Sequence, residues 1–109
     1  MQVLINTDHS VGDYEALSTH VTDVVTGALK HHRGHITRVE VHIGDENGAK
    51  SGPDDKRCMM EARLEGRGPF AVTHHAETVN SAVHGAAEAL TKVLDSALGR
   101  HTRPRESVD

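Results

Sequence analysis

At 109 residues the chain has room for one domain, which at this size buries roughly 60 to 70% of its unfolded surface; the core must be aliphatic, because Tyr14 and Phe70 are the only aromatics and Trp is absent. No apolar run approaches the roughly 20 residues that span a bilayer, the lone cysteine excludes an internal disulfide, and residues 1–7 lack the apolar stretch of a signal peptide, so a reduced, cytoplasmic setting without a membrane partner is expected. A formal net charge of −4 argues against a strongly nucleic-acid-binding chain, although ten histidines make the surface more cationic as pH falls toward about 6.

Gln2 to Asn6 reads as a short strand. After a polar stretch and a turn at Gly12, Tyr14, Leu17, Val21, Val24 and Ala28 recur at spacings of three and four, which predicts an amphipathic helix with Asp13 as N-cap and Gly34 as its end. Val39, Val41 and Ile43 then alternate with Arg38, Glu40 and His42, the period of a half-buried strand. Residues 44–55 hold three glycines, a proline and five charges, and predict a long hairpin loop. Cys58, Met60, Ala62 and Leu64 alternate with Met59, Glu61, Arg63 and Glu65 in a third strand. A tighter turn at Gly66 to Pro69 leads to a fourth, with Phe70, Val72 and His74 pointing inward. Thr78 is the expected N-cap of a second helix whose stripe is Val79, Ala82, Val83, Ala86, Leu90, Val93, Ala97 and Leu98. From Gly99 the sequence has no periodicity, which predicts one domain over residues 1–98 and a flexible polar tail over 99–109.

The order β-α-β-β-β-α describes an α+β fold with a four-stranded mixed sheet. A helical crossover makes the first two strands parallel if they are neighbours, with a right-handed connection. Each helix has one apolar stripe and the sheet has one apolar face, so both helices are expected on the same face, leaving the other wet.

This topology sends distant cations to one end of the domain. Lys30, His31, His32, Arg33, His35, Arg38, Arg63, Arg67, Arg100, His101, Arg103 and Arg105 are expected there, with Asp8, Asp13, Asp45, Glu46, Asp54, Asp55 and Glu77 at the other, relieved by Lys50, Lys56 and Arg57. A basic end suits phosphate, because neutralising backbone charge releases counterions. Cations near helix C-termini also stabilise a fold without any ligand, and both readings stay open. Lys56 and Arg57 lie at the loop end, where no helix C-terminus calls for them.

Other chemistry finds less support. His31, His32 and His35 are close and His74 and His75 adjacent, yet there is no HExxH and no second cysteine, so no metal is expected. Cys58 falls on the apolar side of its strand, as a small buried hydrophobe rather than a nucleophile. Glu61 and Glu65 flank Arg63 as an exposed charged surface. No catalytic constellation, cofactor or small-molecule substrate is expected.

The segments HITRVEVHIGDENG, DDKRCMMEARLEG and PFAVTHHAETVNSAVHGAAEALTKVL, taken together, resemble the ribosome hibernation factors, also called ribosome-associated inhibitors or sigma modulation proteins. The resemblance extends over residues 1 to about 98 and implies a fold similar to double-stranded-RNA-binding domains. It further implies a stress or stationary-phase inhibitor of translation that binds the small ribosomal subunit and its rRNA where tRNA and mRNA would sit. Longer members carry a further C-terminal domain, so a short form is expected. The RNA-binding candidates are then Lys30, Arg33, Arg38, Lys56, Arg57, Arg63, Arg67, Lys92 and Arg100. Residues 1–29 depart from the basic helices usual in the family, with no Lys or Arg and the acids Asp8, Asp13, Glu15 and Asp23, while α-helical Lys92 is set against Glu88 and Asp95. The alternative is a protein-interaction module with weakened RNA binding, whose first and fourth strands offer edges for a weak homodimer.

Overall fold

In a computed structural model, residues 1–8, 14–45 and 56–99 are described. The elements are β1 (Gln2–Thr7), α1 (Tyr14–Ala28), a 3-10 turn (Arg33–His35), β2 (Ile36–Asp45), β3 (Lys56–Leu64), β4 (Arg67–Ala76) and α2 (Val79–Leu94), which widens into a π turn (Asp95–Gly99). The sheet order is β1-β2-β3-β4, with β1 parallel to β2 and the other pairs antiparallel. This is the expected α+β architecture, and β1 and β4 are its edges.

Alternation decides which face is covered. Val39, Val41 and Ile43 of β2 and Cys58, Met60, Ala62 and Leu64 of β3 are all buried, and α1 and α2 pack on that side through Val21, Val25 and Leu29 and through Ala82, Val83, Ala86, Ala87, Leu90 and Leu94. Val3, Ile5, Phe70 and Val72 close the core from the edge strands. A β-bulge at Thr37 sets the two faces of β2: Ile36 pairs with Leu64 and is buried, whereas Arg38 pairs with Arg63 and stands on the open face.

The α1 stripe is rotated from its expected position, and the α2 stripe holds except at one residue. Along α1 and the turn residue after it the buried line is Val21, Val25 and Leu29, with Leu17, Val24 and Ala28 on its flank, and Tyr14 is 49% exposed with its hydroxyl donating to the Ile5 carbonyl at 3.2 Å. In α2 Leu94 takes the buried place expected for Val93. The following π turn keeps Leu98 against the core.

Gly34 does not end the first helix, which stops at Ala28. The chain turns early because Leu29 is buried and His32, 8% exposed, is held by Asp95, with His32 Nε2 2.7 Å from Asp95 Oδ1. Gly34 lies inside the 3-10 turn. Thr78 caps α2 as expected, its side chain accepting from Ser81 N–H at 3.0 Å. Of the long hairpin loop, Gly44 and Asp45 belong to β2, paired with Arg57 and Lys56. The second hairpin turns at Glu65 and Gly66, with Gly66 at φ 74°, and Gly68 and Pro69 are already in β4. Asp13, residues 46–55 and the tail beyond Gly99 lie outside the described residues.

His74 faces α2, as its place in the alternation predicts. Its imidazole lies on Gly85, where a Cβ would overlap the ring. Gly85→Ala should therefore lower the melting temperature while His74 is present. In a His74→Ala background the same change should be stabilising by up to about 1 kcal/mol, the helix-propensity difference between Ala and Gly. Thermal denaturation of the four proteins in this cycle measures the coupling.

Candidate nucleic-acid interface

The cations fall into four places. The first is the end of the domain where α1 runs into β2. Lys30, His31, Arg33 and His35 follow the last residue of α1, and the backbone N–H of Glu65 donates to the His35 carbonyl at 3.3 Å, bringing in the β3–β4 turn. Arg67 Nη1 donates to the Ala97 carbonyl at 3.2 Å, and the His32–Asp95 contact ties the same region to the end of α2. Three segments remote in sequence thus meet at one end. Among the described residues, the side chains of Lys30, His31 and Arg33 make no hydrogen bond or ion pair and are exposed.

Dipole compensation accounts for little at the end of α1, whereas Arg67 serves the C-terminal end of α2 through the Ala97 carbonyl. The last turn of α1 carries no basic residue, since the helix ends before Lys30. The partial negative charge of a helix terminus falls off within its last turn.

The second place is the open sheet face. Arg38 and Arg63 are directly opposite on β2 and β3, but each is turned to a glutamate on its own strand: Arg38 Nη2 is 3.0 Å from Glu40 Oε2, and Arg63 Nη2 is 3.8 Å from Glu61 Oε1. His42 Nε2 lies 3.7 Å from the other Glu40 oxygen. This rung belongs to a charge-balanced surface. Alternation placed Glu61 correctly on the wet face beside Arg63, but its position opposite Glu40 depends on the β2–β3 register. That register is not legible across an intervening loop of uncertain length.

The third is the opposite end. Lys56 Nζ is 3.4 Å from Asp45 Oδ2, and the Asp45 N–H donates to Asp8 Oδ2 at 3.3 Å. Gly44 leaves space over which the Asp8 carboxylate and the Arg57 guanidinium sit. Lys56 and Arg57 therefore help to close the β1–β2–β3 end against the carboxylates Asp8 and Asp45.

The fourth is Lys92, exposed beside an open groove of about 720 Å³ between α1 and α2 whose rim carries Asp23, Glu88 and Asp95. Arg100 lies outside the described residues. One contact with no sequence signal joins the helices at their other end: the rings of His20 and His84 are 5.7 Å apart, and His20 Nε2 is 2.6 Å from Asn80 Oδ1. Among the described residues no three His, Cys, Asp or Glu side chains converge on a metal-sized site, and no helix is long and apolar enough to cross a membrane.

Cys58 has no solvent access, and burial pushes its thiol up to about 12, opposed by the nearby Arg57 guanidinium. A thiol held protonated at neutral pH is a poor nucleophile. The folded chain keeps this proton where the unfolded chain releases it. The stabilisation is therefore complete below the unfolded pKa of 9.0 and is lost as pH rises through about 12. Labelling of the native protein by a thiol reagent at about pH 8 should proceed only at the rate of unfolding, and Cys58→Ala should flatten the alkaline fall in stability.

No family model matches the chain, and no curated protein matches it by sequence. Solved structures do. The N-terminal domain of Protein Y from Thermus thermophilus superposes with a TM-score of 0.69 at 14% identity, covering 89% of this chain and 99% of that one. A ribosomal subunit interface protein from Coxiella burnetii superposes with a TM-score of 0.57 at 12% identity, covering 94% and 98%. At these identities the likeness shows a common fold, and it is consistent with the hibernation-factor resemblance read from the three sequence segments.

Proposed function

We propose that this protein associates with the small ribosomal subunit and inhibits translation by occupying the tRNA and mRNA region under stress, with its basic end toward rRNA. The observation that carries this reading is the cluster of Lys30, His31 and Arg33 at one end, exposed and without partners among the described residues, on a fold found in a protein described as a ribosomal subunit interface protein. Arg67 adds a guanidinium at the rim, and Arg100 follows the segment that packs there. Cations held at the meeting point of three backbone segments need little reorganisation to bind phosphates. RNA would be read through its phosphates and 2′-hydroxyls, that is, by shape.

Charge distribution also limits the contact. Glu40 and Glu61 on the sheet face and Asp23, Glu88 and Asp95 on the helical layer would repel phosphate. The proposed RNA contact is therefore an end of the domain rather than a broad face. Arg38 and Arg63 lie at its margin and Lys92 stands one turn before Asp95, which His32 engages there, while Lys56 and Arg57 are remote from it.

Sedimentation of a lysate tests the reading. The protein should travel with small subunits or whole ribosomes at low ionic strength and be released as salt rises. Arg33→Gln combined with Arg67→Gln should weaken that association at least about tenfold, with Arg33→Gln alone leaving the melting temperature nearly unchanged because its side chain is exposed. Absence from ribosomal fractions even at low salt would remove the proposal.

A further inference from the structure

The open face of the sheet has an ordering of charge that the ribosomal reading does not use. The β2–β3 register sets Arg38 opposite Arg63 and, two residues along, Glu40 opposite Glu61. Like charges directly across a strand pair are unfavourable, and a sheet face that only meets water gains most from opposite charges there. Here the compensation runs along the strands, in the Arg38–Glu40 and Arg63–Glu61 contacts. The surface is thus banded, a positive row beside a negative row. The negative row is flanked by Leu4, in register with Glu40 on β1, and Ala71, in register with Glu61 on β4. Half-buried Met59 lies in the next row, beside His42.

A banded face of this kind is complementary to itself. A two-fold axis lying across the strands, midway between the rows, carries Arg38 onto Glu40 and Arg63 onto Glu61 of a second copy. All four carboxylate–guanidinium contacts form at once, and the symmetry closes at two chains. From these bands we infer that the open sheet face is a docking surface for a second copy of this chain, which forms a face-to-face dimer.

Side-chain exposure supports the match. Glu40 and Glu61 are 21% and 20% exposed, already held in place, while Arg38 and Arg63 are 36% and 47% exposed and the Arg38 Nε is buried without a hydrogen-bond partner. Docking gives each carboxylate a second guanidinium and removes the Leu4 and Met59 surfaces from water. The face of four strands measures about 19 Å by about 27 Å, or roughly 500 Å² per copy, at the low end for specific interfaces. The dimer is correspondingly weak. The edges of β1 and β4 remain free in this arrangement. The inference does not rest on ribosome binding.

Sedimentation equilibrium of the purified, nuclease-treated full chain tests it. Between about 5 µM and about 1 mM protein, at about 50 mM salt, the mean mass should rise toward that of a dimer, and at about 0.5 M salt it should return to that of a monomer. Two face-swapped proteins sharpen the test. Arg38→Glu with Arg63→Glu, and Glu40→Arg with Glu61→Arg, should each stay monomeric alone and associate with each other when mixed. Where a fully swapped face does not fold, as judged by its thermal transition, Glu61→Gln and Arg63→Gln should each weaken dimerisation at least about threefold. A wild type that stays monomeric overturns the inference. So does a dimer that survives these substitutions, which would mark edge pairing, or one that appears only before nuclease treatment, which would assign the face to RNA.

Discussion

Burial of one sheet face beneath two helices is the constraint on which everything else depends. With no Trp and a single, half-buried Phe, the chain relies on close approach rather than on bulky side chains. Ala82, Ala86 and Ala87 make α2 thin where it crosses the sheet, and Gly85 lets the His74 ring lie directly on the helix backbone. Leu90, Leu94 and Met60 then supply much of the apolar area, each fully buried and each contributing on the order of 1.5 to 3 kcal/mol. The same packing explains the early end of α1. Leu29 enters the core at the point where the chain must also deliver His32 to Asp95, so the helix gives way to turns.

Those turns create the cationic end. Had α1 continued to Gly34, Lys30 and Arg33 would sit on a helix and serve its dipole. Because it stops at Ala28, they stand on a connection pinned by Leu29, His32 and the Glu65 N–H contact with His35. Asp95 is engaged there by His32 and Glu65 lies in the adjoining turn, while other acids are placed in the inter-helix groove, in the negative row of the sheet and against Lys56 at the far end. A chain of net negative charge thereby presents a local cationic surface, and overall charge is a poor guide to such a chain's partners.

The bulge at Thr37 links core and surface in a second way. One extra residue moves Ile36 to the buried side and Arg38 to the open side, although their even spacing alone would put both on one face. Without it the positive row of the sheet would not exist. The Thr37 hydroxyl donates to the Arg63 carbonyl at 3.0 Å and fixes the irregularity in place. Backbone hydrogen bonding thus determines the surface pattern as much as the identities of the charged residues do.

Periodicity by itself determined the order of elements, the parallel pairing of β1 and β2, the Thr78 cap and the buried side of β3, because a period of two or of three and four is a direct imprint of which side chains avoid water. It left the α1 stripe about one residue off, since a wide apolar face such as Val21, Val24, Val25, Ala28 and Leu29 fits more than one rotation until a partner surface selects it. The element order already sent Lys30, His31, Arg33 and Arg67 to one end, whereas tertiary structure alone decided the Arg38–Arg63 and Glu40–Glu61 rows and the engagement of Lys56 by Asp45. Each of these depends on strand register or on contact between segments distant in sequence, and a linear pattern records neither of these until the loops between them are closed.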